Sequence, residues 1–201
     1  MGTYKKSNIT RVIIYSFARQ SIVEFNADIQ SFTDTYAANV NSDAVYGRID
    51  PISTYSGTKR DISFSLLLDS TTGLTSDNFF DIKVLASRMY GRYKTLTGGS
   101  TIPVGVLHSP PLFALNVSPL VVGGLTVTTN KNHLMSYMLP GFITNFSISY
   151  DATKGVEVEN TDNPTQLIPR EMTINISFSP IHDRQGGFNE SGTPFTTNWP
   201  F

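Results

Sequence analysis

Cysteine is absent from all 201 residues, which excludes disulfides and thiolate metal sites and leaves the redox compartment open. Charge is scarce as well, with only 15% of residues charged and a formal net charge of -1. That balance removes the electrostatic case for wrapping nucleic acid or lying on an anionic membrane. Long apolar runs are missing: no segment approaches the roughly 20 residues that span a bilayer. The run Val12-Ile13-Ile14-Tyr15, bracketed by Arg11 and Arg19, is too short for a signal-peptide core. The expectation is a protein kept in the cytoplasm until it is assembled. His108, His133 and His182 lie far apart, with no carboxylate at ligand spacing. Nucleophile elbows, phosphate-cradling glycine loops and dinucleotide fingerprints are absent too. No catalytic residue, metal or cofactor is therefore expected.

What the chain does contain is alternation. Ile62, Phe64, Leu66 and Leu68 fall on one side of a run whose other side is Asp61, Ser63, Ser65 and Asp69. A period of two with one apolar face is the mark of a half-buried antiparallel strand. The same pattern recurs at Val23 to Gln30, at Phe142 to Tyr150, and at Arg170 to Phe178, while Ile9 to Phe17 is β-branched and aromatic. Val121 to Thr129 and Leu134 to Leu139 read as hairpin arms, and Pro140-Gly141 as a break. One segment changes period. Phe79, Ile82, Leu85, Ala86, Met89 and Tyr93 recur at three and four, which predicts an amphipathic helix capped at Ser76 or Asp77. Residues 32–59 show no sustained period and read as a long loop, of the kind that usually binds a partner. A single domain over 1–180 is expected, followed by an extended arm over 181–201.

The order of these motifs resembles the tube-like domain of contractile-tail and contractile-injection-system baseplate proteins. The resemblance rests on Arg60 to Asp69, the helix, Ser109-Pro110-Pro111-Leu112-Phe113, Pro140-Gly141-Phe142 through Tyr150, and Ile168-Pro169-Arg170 through Phe178. Tyr46-Gly47-Arg48-Ile49-Asp50-Pro51-Ile52 also looks like a segment of phage virion proteins. The resemblance implies a mainly β (α+β), tail-tube-like fold: two packed antiparallel sheets with one flanking helix. It implies a virion protein of the tail or baseplate whose partners are its own copies, by family analogy in a hexamer, and other tube and baseplate proteins. DNA would pass through the lumen without specific binding.

Within that frame the polar strand face of Ser63, Ser65, Thr173, Asn175 and Ser177 suits a wetted channel wall. Tyr46, Arg48, Asp50, Tyr55, Lys59 and Arg60 of the long loop, with Trp199 and Phe201 of the tail, are the expected subunit contacts. A tail-terminator or other connector ring is the nearest alternative. A secreted carbohydrate-binding β-sandwich is the alternative of another class, disfavoured by the absent signal peptide and cysteines.

Overall fold

The computed structural model describes residues 9–47, 49–69, 76–90, 92–95, 105–118, 120–121, 125–127, 136–158, 167–182 and 191. The β-branched opening becomes strand β1 (Ile9–Ser16), which turns back into the 23-residue β2 (Ser21–Asp43). β3 (Ile52–Asp69) returns antiparallel along β2 from Asp43↔Ile52 to Asp28↔Leu67. Helix α1 (Ser76–Arg88) follows, then the short pair β4 (Arg92–Thr95) and β5 (Gly105–Ser109). The later strands are β6 (Phe113–Ser118), β7 (Leu125–Val127), β8 (Ser136–Tyr150), β9 (Val156–Val158), β10 (Leu167–Pro169) and β11 (Glu171–Pro180).

The strand order is β11-β3-β2-β1-β6-β8, and β8 pairs again with β11. Six antiparallel strands thus close into one ring. This corrects the expectation of two packed sheets: the apolar faces meet across the inside of a single closed sheet. A barrel this small has no channel of its own, because side chains fill its interior. Val12, Ile14, Val23, Phe25, Ile62, Leu66, Leu115, Ile174 and Phe178 are among the side chains buried there. α1 adds Ile82 and Leu85 to the same cluster, with Phe79 and Met89 packed on its edge. Among the described residues it is the one α-helix. The helical stripe ends sooner than its spacing predicts, since Arg88 is its last residue and Tyr93 belongs to β4.

Closure depends on one corner. Pro140-Gly141, expected to end a strand, lies inside β8. Gly141 pairs with Phe113 of β6 and with Pro180 of β11, so β8 changes neighbours there. A Cβ on Gly141 would sit 2.4 Å from the Ser179 carbonyl oxygen and 2.6 Å from the Phe178 ring. Only glycine lets the two backbones approach so closely. Just beyond, a bulge skips Thr144 in the pairing with β11. It reverses the alternation, so Ile143 faces the core and Phe142 is exposed, contrary to the simple period.

Candidate assembly surfaces

The outer face of the ring carries the first surface. Register places Thr33, Ser63, Ser177 and Asn145 in one row across β2, β3, β11 and β8. Ser31, Ser65, Asn175 and Ser147 form the next row, and Asp28, Leu67, Thr173 and Ser149 the one after. All five residues expected to line a channel therefore stand together on two adjacent strands. Neutral groups satisfy one another across this wall: the Asn175 amide donates to Ser147 Oγ at 3.4 Å, and the Thr144 hydroxyl to the Ser177 carbonyl at 3.2 Å. No charged side chain stands in the first two rows. Charge begins at Asp61 and Lys59 on one side, and on the other at Asp28, in the third row itself, and at Glu171 beyond it.

The second surface replaces the expected loop. Residues 32–43 and 52–59 are not a loop but the continuation of β2 and β3 as a paired ribbon. β1 accompanies β2 only as far as Asp28, and β11 accompanies β3 only as far as Ile62. Among the described residues, the ribbon beyond those points has no third strand. At about 3.3 Å per residue, the stretch from Asp34 to Asp43 reaches roughly 30 Å.

One face of this ribbon continues the barrel's inner face, through Phe32, Asp34, Tyr36, Ala38 and Val40 opposite Phe64, Ile62, Arg60, Thr58 and Tyr55. Its large side chains are open to solvent, with Tyr36 44%, Val40 53% and Tyr55 64% exposed. Val45, Tyr46, Ile49 and Ile52 add exposed apolar surface around the tip. Exposed apolar groups grouped in this way make the ribbon a candidate contact surface.

Alternation separates two neighbouring cations. Lys59 turns to the polar face, where its ammonium pairs with Asp61 at 2.8 Å while both side chains stay largely in water. The hydrogen bond from Lys59 holds the Asp61 carboxyl below its ordinary range, helped by Ser179 and opposed by slight burial. Arg60 turns inward and is buried, 4% exposed. Its Nε and Nη2 donate to the two Asp34 oxygens at 2.9 and 2.6 Å. The guanidinium lies over the Tyr36 ring, 5.1 Å from its centroid, and the Tyr36 hydroxyl donates to Asp34 at 3.3 Å. Burial is the main cause that raises the Tyr36 phenol above its ordinary value.

Of the expected contact residues, Tyr46, Asp50, Tyr55 and Lys59 stand exposed on the ribbon or its tip, whereas Arg60 is sequestered at its base. Arg48, Trp199 and Phe201 lie outside the described residues. Asp34, Tyr36 and Val40 were missed. The signal for them was the faint alternation from Phe32 to Val40, in which neither face is uniformly apolar.

An open depression of about 280 Å³ lies where the chain leaves β11, lined by Asn39, Gly57, Thr58, Lys59, Arg60, Pro180 and His182. Among the described residues, no three His, Cys, Asp or Glu side chains converge to hold a metal. No helix of the described residues is long and apolar enough to cross a membrane.

No family model matches the chain, and no curated protein is similar to it in sequence. Among solved structures it is similar to a chain of the anti-feeding prophage baseplate, determined by cryo-electron microscopy with sixfold symmetry applied. The match has 8% identity and a TM-score of 0.34, and covers 90% of this chain and 95% of the other. A likeness that slight carries no argument about function.

Proposed function

We propose that the chain is a non-enzymatic, ring-forming structural subunit of a contractile tail or injection assembly, at the baseplate end of its tube. The observation that carries this reading is the wall of Ser63, Ser65, Thr173, Asn175 and Ser177, uncharged and contiguous, beside an arm with exposed apolar groups. A channel that passes DNA is served by a face that offers a polyanion water and neutral hydrogen bonds but no cations to grip it. The barrel's interior is filled, so a channel arises only between copies, with the wall turned inward. The arm supplies the contact. Among the described residues its inner face has no covering layer, and a neighbouring subunit provides one, as ring closure requires. The motif order from Arg60 to Phe178 supports the same class, with other tube and baseplate proteins as axial partners and the virion as location.

Electron microscopy of the purified chain, alone and with a tail-tube protein, tests the reading. Closed rings whose inner surface is labelled by cysteine-reactive probes at Ser63→Cys and Asn175→Cys are expected. A monomer that captures a glycan on an array would overturn it in favour of a carbohydrate-binding module.

A further inference from the structure

The arm faces a problem of register. Within the barrel, a slip of one residue would drive Phe25, Phe64 and Leu66 into water, so the pairing of β2 with β3 is fixed there. Past the stacked rings of Phe32 and Phe64, with centroids 6.5 Å apart, and the buried Ile62 opposite Asp34, no further buried apolar side chain of the described residues enforces it. Two irregularities break the ladder, one between Ile29 and Ser31 and one between Asn39 and Val40. Each bulge is a place where an extra residue can migrate and shift everything beyond it.

Between those two bulges sits the cluster of Asp34, Tyr36 and Arg60. A buried ion pair is a poor choice if the aim is only to close the end of a core, because apolar groups of similar volume usually serve as well or better. What the pair adds is geometry. Two parallel N–H donors on β3 must meet two oxygens on β2, and Tyr36 must lie under the guanidinium plane. We infer that Arg60 is a positioning residue, which with Asp34 and Tyr36 locks the register of the arm between the two bulges and so aims the base from which the strip of Val40 and Tyr55 extends. The use assigned to that aim rests on the proposed role of the arm as a subunit contact; the lock itself does not.

The absence of native cysteine gives a clean test on the full chain. Ala38 faces Thr58 in the native register, whereas Ala38 and Ser56 come opposite one another only after a slip of two residues. In an otherwise unchanged chain, Ala38→Cys with Thr58→Cys should oxidise about tenfold faster than Ala38→Cys with Ser56→Cys, because disulfides tolerate little misalignment. Replacing the lock by Asp34→Leu with Arg60→Met should shrink that ratio to about threefold or less, while the urea midpoint holds or rises. Arg60→Lys, which keeps the charge but loses the fork, should shrink it too, and is read alone if the apolar pair does not fold. An unchanged ratio in the variants that fold would overturn the lock. A ratio that falls in the lock variants while the unaltered chain itself forms no rings would leave the lock standing and sink the assembly reading.

Discussion

The hairpin of β2 and β3 is one element living in two environments. From Ser21 to Phe32 and from Ile62 to Asp69 it is part of a closed ring, and its inner face is buried. From Asp34 to Asp43 and from Ile52 to Arg60 the same ladder and the same alternation continue, yet Tyr36, Val40 and Tyr55 stand in water. The backbone does not distinguish the halves. Only the covering layer does. Burial is thus a property of what lies opposite a strand face, and the uncovered half is the part to which the proposed function assigns a partner.

This contrast can be broken from the barrel side with the largest effect. Phe25→Ala, at a fully buried position, should cost about 3–5 kcal/mol in urea unfolding through lost burial and the cavity left behind. Gly141→Ala should cost about 2 kcal/mol by the same measurement, because a methyl group there meets the Ser179 carbonyl and the Phe178 ring and overpacks the corner. On the arm, Val40→Ser with Tyr55→Ser should change the stability of the isolated chain by no more than about 0.5 kcal/mol, since neither side chain is buried. A loss comparable to that of Phe25→Ala would show that the arm is core.

The smallest effect is on pH. Asp61 has a folded pKa held below its unfolded value by Lys59, so its contribution is present above about pH 4 and is lost as pH falls through the folded value. The pair is exposed, and a few tenths of a kcal/mol is the most expected. Asp61→Asn should flatten that part of the acid limb in pH-dependent urea titrations.

Much of the barrel half was legible in the sequence. Ile62, Phe64, Leu66 and Leu68, and likewise Met172, Ile174, Ile176 and Phe178, are buried as their alternation implies. The helix was legible from its changed period. Closure was not, because alternation states which side is apolar and is silent on which strands pair. The β8–β11 and β1–β6 contacts join residues distant in sequence. The corner at Gly141 and the bulge at Thr144 were hidden for a related reason: a proline-glycine pair reads as a stop unless a strand is known to change partners there.

The arm was misread as a loop because its inner face mixes Asp34, Tyr36, Ala38 and Val40. The shared polar face of Ser63, Ser65, Thr173, Asn175 and Ser177 was legible from the alternation of two strands before their pairing was known.

Sedimentation velocity on the full chain, with and without Val40→Ser and Tyr55→Ser, tests the central claim most directly. The account predicts a closed oligomer for the unaltered chain and a folded monomer for the double variant. An unaltered chain that stays monomeric at every concentration, or an oligomer that ignores both substitutions, would contradict it.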